Sequence, residues 1–456
     1  ALAGLLNQDN ILGKTVGGFT FPSFPAKAKR VIVLWQGGGP SHIDLLDPKP
    51  MLRKMAGKDI PTSVRGDTRL STMSSNYKAW PCVPEIKPYQ KYGKCGTEIS
   101  SMLSNIGGLA DDLCIVRSLN TEAVNHAPGV TFTLTGSQIP GRPSMGAWLT
   151  YGLGSESEDL PAYVVMTSTD KGKTCGQLFY DYYWGSGFLP SKYQGVKFSS
   201  TGAPVPYLNN PEGISSKGRR SLLDNIAKLN QAHHSEYGDP EINTRIAQYE
   251  MAFRMQTSVP ELLDFKQEPE HVIKRYGPDV EQRGTFASNC LTARRLLERG
   301  TRFVQLMHSG WDQHSNLFTQ LEKQCNATDA PTAALIQDLK DRDMLKDTLV
   351  IWGGEFGRTP FGQYRSGDPK KPTGRDHFGQ AFSWIMAGGG VKPGSTYGET
   401  DEFGWNITKN TVHIHDMQAT ILHLCGIDHT KLTYRYQGRR FRLSDVHGHI
   451  KKGIIA

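Results

Sequence analysis

The sequence lacks three features that would decide its class at once: cysteine pairs, a long apolar run and a concentrated block of basic residues. The seven cysteines form no CxxC pair, so a metal site is expected to use oxygen and nitrogen ligands. No segment is long and apolar enough to cross a bilayer. The formal net charge of +8 is scattered, apart from small clusters at Arg219–Arg220 and Arg439–Arg442, which disfavours a nucleic-acid partner. A modest positive surplus instead suits an anionic ester as substrate.

What the sequence does contain is typical of an ordinary globular protein. Its 456 residues are 21% charged and 38% hydrophobic, and they include no internal repeat or low-complexity tract. The opening stretch Ala1–Leu6 resembles the end of an apolar export signal. If the protein is exported, Cys82 and Cys95 are candidates for a local disulfide, and the alternative is that they are separate buried thiols.

Apolar, β-branched runs alternate with amphipathic segments along the chain. Six runs predict strands, at Arg30–Trp35, Asp112–Ser118, Leu160–Thr167, Thr301–Met307, Thr348–Trp352 and Gln380–Ala387. Helical periodicity covers Thr285–Glu298, Ala330–Arg342 and His415–Cys425. Helix followed by strand, repeated, predicts an α/β fold with a mostly parallel central sheet and helices on both faces.

The character of the sequence changes between about residues 172 and 284. Gly, Pro, Tyr and Ser dominate its first part, and a polar helical segment follows at Arg219–Thr257. We interpret this region as an inserted lid that packs over the rim of the sheet, and the loop Ser71–Pro84 as a second candidate lid. The predicted organisation is an N-terminal extension at 1–29 after an export signal, and a single domain at 30–456 that carries the insertion.

Three motifs in the C-terminal half place acids and imidazoles next to predicted strands. Asp312 and His314 follow one strand, Glu355 follows the next through two glycines, and His377 lies just before a third. Residues past the carboxyl ends of strands line the crevice of an α/β sheet. Each motif has an ordinary alternative, namely exposed loop residues for Asp312, His314 and His377, and an ion pair with Arg358 for Glu355. Three such motifs at successive strands favour a shared divalent metal centre.

Further candidates lie in the N-terminal half. His42 and Asp44 follow the first strand and a Gly-rich turn with a two-residue spacing, so they are candidate metal ligands. The turn lacks the Lys of a P-loop, which argues against nucleotide binding. His126 precedes Pro128 in a segment that ends at Gly136, so it lies at a predicted helix N-terminus, where N–H groups favour an anion. The alternative is a histidine that only caps the turn.

The order of these motifs resembles a known family. The chain carries, in order, GGPSHID, NHAPG, LTGSQIPGRPSMG, GWDQH, TLVIWGGEFGRTP, GRDHF and VHIHDMQATILHLCGIDHTKLTYRYQGRRFRLSDVHG. From about Phe24 to its C-terminus it is very similar to the bacterial domain-of-unknown-function family 1501, which is common in planctomycetes and is placed in the alkaline phosphatase/sulfatase superfamily. The resemblance implies an alkaline-phosphatase-like α/β sandwich. It also implies twin-arginine export and a periplasmic or cell-surface location.

The superfamily resemblance implies roles for individual residues. The segment that starts at His126 looks like the sulfatase signature, so His126 occupies the position of the nucleophile. Glu355 matches a metal-ligating Asp, while Asp312, His314 and His377 resemble ligands of the other metal site. Neighbours in the motifs complete the predicted site, with two catalytic candidates, Asn125 and Arg358, and two substrate-binding candidates, Arg375 and Trp311.

Two departures from the superfamily pattern bear on function. No Asp directly follows the first strand, so His42 or Asp44 would replace that ligand. No Ser, Thr or Cys fills the nucleophile position, so we expect no formylglycine; His126 would either attack a phosphoryl group or, as we prefer, ligate a metal whose bound hydroxide attacks. We expect an exported hydrolase of sulfate or phosphate esters that uses Zn, Ca or Mn and acts on an anionic ester such as a sulfated or phosphorylated glycan. The alternative is a non-catalytic surface or binding protein.

Overall fold

A computed structural model of the chain describes residues 14–68, 70–169, 176–205, 208–364 and 372–456. The strands are β1 (Lys14–Val16), β2 (Phe19–Phe21), β3 (Arg30–Gly37), β4 (Tyr89–Tyr92), β5 (Thr97–Ser100), β6 (Leu113–Asn120), β7 (Tyr163–Thr167), β8 (Val196–Phe198), β9 (Phe303–Ser309), β10 (Thr348–Gly353), β11 (Gly357–Gln363), β12 (Gly374–Phe378), β13 (Phe382–Ala387), β14 (Ser395–Tyr397), β15 (Glu399–Thr400), β16 (Ile407–Lys409), β17 (Val412–His413), β18 (Tyr434–Tyr436) and β19 (Arg439–Phe441).

The α-helices are α1 (His42–Leu45), α2 (Pro50–Lys54), α3 (Thr62–Arg65), α4 (Ser104–Gly107), α5 (His126–Thr135), α6 (Met145–Leu153), α7 (Ser216–Tyr237), α8 (Pro240–Leu263), α9 (Glu270–Tyr276), α10 (Phe286–Glu298), α11 (Leu317–Asp341) and α12 (Ile414–Leu424). None of the described helices is both long enough and apolar enough to span a membrane.

The centre of the fold is a nine-stranded sheet. Its order is β14-β6-β13-β10-β3-β9-β7-β8, and β17 adds to it beside β6. β3 pairs in parallel with β10 and β9, and β7 pairs in parallel with β9 and β8. β13 is the exception, since it runs antiparallel to both β10 and β6. The prediction of an α/β fold with a mostly parallel sheet is confirmed, and all six predicted strands lie in this sheet.

Both faces of the sheet are covered, as β3 illustrates. Val31, Val33 and Trp35 pack into a core with α5, α6 and α12. The alternate residues Ile32 and Leu34 pack into a second core with α10 and α11. A strand covered on both sides is apolar at successive positions, and each such buried side chain contributes about 2 kcal/mol to folding. The helices on both faces therefore follow from the apolar run that predicted the strand.

The region predicted as an inserted lid also contributes a strand to the central sheet. It contains β8, an edge strand of the central sheet, as well as α7, α8 and α9, and residues 172–175, 206 and 207 lie outside the described part. α8 packs against α7 and α10. The beginning of this inserted region contacts the rim of the sheet, where Gln177 Oε1 accepts the N–H of Ala127 at 3.2 Å. The division into an extension, a domain and an insertion remains a prediction.

The loop Ser71–Pro84 lies against the two-stranded ribbon of β11 and β12. Ser71 and Ser74 both donate hydrogen bonds to Asp376 Oδ2 in β12, which ties the loop to the strand that carries one predicted ligand. Cys82 near the loop's end is buried, Cys95 is exposed, and both are free thiols. The local disulfide considered for this pair is therefore absent; the two thiols are separate, but only Cys82 is buried as the alternative supposed.

Candidate metal centre

Four side chains from separate parts of the chain converge at the carboxyl edge of the sheet. His126 is the first residue of α5, Asp312 and His314 follow β9, and His377 lies in β12. One ligand atom from each lies within 4.8 Å of the others. Their side chains are between 3% and 13% exposed. We call these four residues the metal cluster.

Asp312 is the centre of the metal cluster. Its Oδ1 lies 2.7 Å from His314 Nε2, 3.2 Å from His126 Nε2 and 3.3 Å from His377 Nε2. The Nε2 atoms of His314 and His377 are 3.0 Å apart. One carboxylate oxygen therefore faces the same nitrogen of three imidazoles.

Each imidazole is oriented by an oxygen at its other nitrogen. The three contacts are His126 Nδ1 to Glu355 Oε1 at 2.7 Å, His314 Nδ1 to Gln363 Oε1 at 2.6 Å, and His377 Nδ1 to Val124 O at 3.0 Å. These oxygens accept hydrogen bonds, so each Nδ1 carries the proton in the neutral ring. Each Nε2 then presents a lone pair to the cluster, which is how metal-ligating histidines are held in proteins.

The donor set fits a divalent cation. Three imidazole lone pairs and a carboxylate oxygen meet at one point, and a positive charge between them removes their mutual repulsion. His126 Nε2 is buried without a hydrogen-bond partner among the described residues, and so is Glu355 Oε2. Histidine nitrogen and carboxylate oxygen are the ligands of many zinc sites. The residues present are therefore suited to a metal.

Electrostatics in the metal cluster favour a charged Asp312. Burial opposes its ionisation, but the imidazoles of His126, His314 and His377 outweigh burial and hold the pKa of Asp312 well below its usual range. Burial lowers the pKa of His377 to about 3. Burial also disfavours the charged form of His126, yet the carboxylates of Asp312 and Glu355 raise its pKa. An ionised Asp312 is the form that ligates a cation.

The start of α5 orients His126 and does not offer a free anion site. Its first-turn N–H groups already have acceptors: His126 N to Asn125 Oδ1 at 2.8 Å, Ala127 N to Gln177 Oε1 at 3.2 Å and Gly129 N to Asn125 O at 3.0 Å. The residue between Ala127 and Gly129 is a proline without an N–H. The predicted helix from His126 to Gly136 is confirmed, but anion binding through its N–H groups is not supported. Asn125 itself is exposed at the helix start.

Glu355, a predicted metal ligand, lies behind His126. It is fully buried, and its Oε1 accepts both His126 Nδ1 and the N–H of Gly38, the latter at 2.9 Å. Gly38 has φ of +115°, and a Cβ there would lie 2.4 Å from Asp312 N, so only glycine lets this N–H reach Glu355. Glu355 therefore orients His126 of the metal cluster. The ion pair with Arg358, which was the alternative for Glu355, does not form.

Arg358, a predicted catalytic residue, anchors Asp312. Its guanidinium is 1% exposed and lies 2.9 Å from Asp312 Oδ1. The remaining donors bind main-chain carbonyls of Gly38, Gly39, Trp311 and Arg375. These contacts give Arg358 a positioning role toward Asp312, and the catalytic role predicted for it remains a prediction.

Asp44, a predicted metal ligand, and Arg375, a predicted substrate-binding residue, form an ion pair with each other. Their ion pair, Arg375 Nε to Asp44 Oδ2 at 2.8 Å, is completely buried. Arg375 also donates to carbonyls of Thr359, Pro360 and Val83. The pair joins α1 to the ribbon of β11 and β12.

His42 and Trp311 are likewise core residues. His42 Nε2 lies 3.3 Å from Gly404 O, and burial lowers the pKa of His42 to about 4. Trp311 is fully buried, packs edge-to-face on Trp352 at 5.7 Å, and donates its indole N–H to Gln36 Oε1 at 2.9 Å. In this structure both side chains contact other parts of the core, and the metal-ligand role of His42 and the substrate contact of Trp311 remain predictions.

Gln363 and Val124 orient two members of the metal cluster, and the sequence did not single them out. Gln363 is the last residue of β11, and Val124 acts through its main-chain carbonyl. An amide or a carbonyl oxygen carries no pattern that distinguishes this role. Gln363 ends a strand that already carries Arg358 and Thr359, so its polarity gives no distinct signal.

Comparison with known proteins identifies a family and several structures of low similarity. A family model described as Protein of unknown function (DUF1501) matches residues 28–455. No curated protein matches the chain. The chain is similar to a sulfatase from Pseudoalteromonas sp., with 12% identity over 100% of this chain and 75% of the other and a TM-score of 0.40. For an alkaline phosphatase from the Antarctic bacterium TAB5, identity is 11% over 88% and 99% of the two chains, with a TM-score of 0.33.

Proposed function

The chain belongs to the family described as Protein of unknown function (DUF1501), and we propose that its metal cluster binds one divalent cation and serves the hydrolysis of sulfate or phosphate esters. The observation that supports this most is the approach of three imidazole Nε2 atoms to Asp312 Oδ1, the nearest at 2.7 Å and the farthest at 3.3 Å. Every imidazole is oriented for ligation by an acceptor at Nδ1, which is a feature of metal sites more than of ordinary polar cores.

Zinc suits the donor set best among the candidate ions. Calcium takes six to eight oxygen ligands, whereas the metal cluster offers three nitrogens and one carboxylate. Zinc binds His and Asp ligands in four-coordinate sites. Manganese prefers oxygen donors and ranks lower in affinity for nitrogen sites. We therefore propose zinc as the resident ion.

The bound cation would supply Lewis acidity toward an ester oxygen and make a coordinated water more acidic. The chain's own residues would then orient the reacting groups. Arg358 holds Asp312, and Glu355 keeps the proton of His126 on Nδ1, so that Nε2 either ligates or accepts a proton. Asn125 is exposed beside His126 and is the proposed contact for the ester.

A non-catalytic metal protein is the second candidate. The observation that favours it is that protein side chains supply all four ligands of the metal cluster. Structural zinc sites have four protein ligands, whereas catalytic sites keep one position open. The cluster offers four protein ligands, and Asp312, the most exposed, is 13% exposed. Two nearby cationic groups, Arg358 and Arg375, are engaged within the protein. Under this alternative the metal would stabilise a binding surface.

Metal analysis followed by an ester panel tests the proposal. The purified protein should retain about one zinc per cluster by mass spectrometry, and chelation should remove it. Aryl sulfates, phosphomonoesters and phosphodiesters would then be assayed with Zn, Mn or Ca added back. Turnover that returns with one of these ions supports the hydrolase. Bound metal without turnover on any ester supports the non-catalytic alternative, and absence of both overturns the metal proposal.

Substitution of His126 separates its roles. His126→Ala should abolish ester turnover or lower metal occupancy. His126→Asn should not restore either, because an amide is a poor metal ligand and cannot transfer a proton. Asn125→Ala should raise KM with occupancy unchanged. If His126→Ala keeps both full occupancy and full turnover, His126 has no part in the reaction.

Location and substrate are proposed more broadly. An anionic ester borne by a glycan agrees with the positive net charge, and we propose a location outside the cytoplasm. Fractionation of cells that express the full-length gene would test the location. Recovery of the protein from the cytoplasmic fraction alone would contradict it.

A further inference from the structure

A second group of histidines lines a surface cleft of about 500 Å³ on another part of the described chain. Two His-x-His pairs contribute to it, His413-Ile-His415 and His447-Gly-His449. The remaining walls include Glu122, Phe132 and Asp416. We call this the histidine cleft. None of its residues belongs to the metal cluster.

The histidine cleft is built at the same edge of the sheet as the metal cluster. β17 pairs in parallel with β6, with His413 beside Asn120, so both strands end at this edge. Glu122 lies in the loop that leads from β6 to His126. The same loop contributes the Val124 carbonyl that orients His377 in the metal cluster. One short loop therefore contributes Glu122 to the histidine cleft and contacts His377 of the metal cluster.

His415 is held in one tautomer. Gln418 donates its amide N–H groups to the carbonyls of Phe132 and Thr133, at 3.0 and 2.9 Å, which leaves its Oε1 facing His415. That oxygen lies 3.2 Å from His415 Nδ1, so Nδ1 carries the proton. Nε2 of the neutral ring then has a lone pair available to a ligand in the cleft. This is the arrangement seen at each histidine of the metal cluster.

Glu122 is directed by His413. The Nδ1 of His413 accepts the N–H of His415 at the start of α12, so its proton is on Nε2. Nε2 lies 2.8 Å from Glu122 Oε1 and donates to it. The Glu122 side chain is 62% exposed, and its second oxygen remains for another partner. A carboxylate oriented by a second residue is likewise typical of metal sites.

His447 supplies a third donor from an exposed position. Its ring stacks on that of His415 with centroids 5.2 Å apart and planes at 30°. The donor atoms here are farther apart than in the metal cluster. Rotation of the exposed Glu122 and His447 side chains would bring their donor atoms to the same cation as His415. His415 is 5% exposed and is the fixed member.

We propose that the histidine cleft is a second metal site, which takes a divalent transition cation such as zinc through His415 Nε2, the Glu122 carboxylate and His447. Imidazole nitrogens with one carboxylate favour zinc, copper or nickel over calcium or magnesium. A group of histidines could also bind an anion. The carboxylates of Glu122 and Asp416 in the wall of the cleft would repel one. The nearby Lys451 is already paired with Asp416 at 2.8 Å.

Counting zinc per chain tests the proposal. Full-length protein would be stripped with a chelator, dialysed against zinc and measured by mass spectrometry. We expect two equivalents in the wild type, one in Asp312→Asn, one in Glu122→Gln/His447→Ala, and none when these are combined. His271→Ala, at an exposed histidine of α9, is the matched control and should keep two. The exposed positions of Glu122 and His447 make their substitution compatible with folding.

A spectroscopic measurement isolates the second site. Copper(II) added to Asp312→Asn protein should give an electron paramagnetic resonance signal with nitrogen coupling, and His415→Ala should remove that coupling. Equal zinc content in the wild type and in Glu122→Gln/His447→Ala would overturn the proposal. So would calorimetric binding of sulfate to zinc-free protein that His415→Ala abolishes, because the cleft would then be an anion site. Loss of metal in Asp312→Asn tests the metal cluster separately, so the two proposals can fail independently.

Discussion

His126 and Glu355 are joined by a hydrogen bond of 2.7 Å between Nδ1 and Oε1, although 229 residues separate them in the chain. Glu355 is fully buried, and its other oxygen has no partner among the described residues. The contact keeps the His126 proton on Nδ1 and leaves Nε2 for the metal cluster. Glu355, which the strand-end pattern predicts as a ligand, thus contacts His126 of the metal cluster.

Glu355→Gln should weaken metal binding without loss of the fold. A neutral amide is a poorer acceptor for His126 Nδ1, and loss of such an orienting partner lowers metal affinity about 10–100-fold. Competition with a chromophoric zinc chelator would measure this. Glu322→Gln, at a surface glutamate that is 49% exposed, is the control. Equal zinc affinity in wild type and Glu355→Gln would mean that the hydrogen bond has no role in ligation.

Asp312→Asn should remove the stabilisation that zinc gives to the metal cluster. A ligand at one hundred times its dissociation constant stabilises the folded state by about 2.7 kcal/mol. Thermal unfolding of His415→Ala protein, which isolates the metal cluster, should therefore shift upward with zinc. The same shift should be absent when Asp312→Asn is added and retained with the exposed substitution Asp343→Asn. A zinc-dependent shift that survives Asp312→Asn would contradict the central role of this carboxylate.

Arg375→Met should destabilise the protein and leave ester affinity unchanged. It leaves Asp44 as a buried charge without its partner, which costs about 3–5 kcal/mol. The double variant Arg375→Met/Asp44→Leu should recover much of this loss, since neither charge then remains. Urea unfolding measures the stability, and KM measured on the folded protein checks for a substrate contact. A large rise in KM with unchanged stability would restore the predicted substrate-binding role.

Glu268 should make the protein sensitive to acid. Burial opposes its ionisation, but the guanidinium groups of Arg294 and Arg295 outweigh burial and lower its pKa from 4.5. Because its pKa is lower in the folded than in the unfolded protein, its contribution is present above that value and is lost as pH falls through the folded pKa.

Glu268→Gln should therefore lower the free energy of unfolding at pH 7 by about 3–5 kcal/mol, because two arginines lose their buried partner. Below pH 4.5 the difference from wild type should shrink. Urea unfolding across pH 3 to 7 would measure it. Glu270→Gln, at a neighbouring glutamate whose side chain is 80% exposed, is the matched control. A difference that is independent of pH would contradict this account.

Much of the fold could be predicted because its signals are local. Each of the six apolar runs became a strand of the central sheet, since a strand covered on both faces must be apolar at successive positions. The antiparallel direction of β13 was not predictable in the same way. Strand direction depends on how the preceding ribbon of β11 and β12 turns the chain, and no residue pattern encodes it.

The sequence by itself determined the family and the mostly parallel α/β sheet. It also offered Asp312, His314 and His377 among six candidate metal ligands and His126 as a catalytic candidate, because these residue types follow strands or start a helix in recognisable motifs. Only the tertiary structure decided which nearby candidates share that site. Asp44 pairs with Arg375 across 331 residues of sequence, and His377 is oriented by a carbonyl 253 residues away. The physical reason is that burial makes every charge and donor take the nearest complementary group, and that group is set by packing between distant segments.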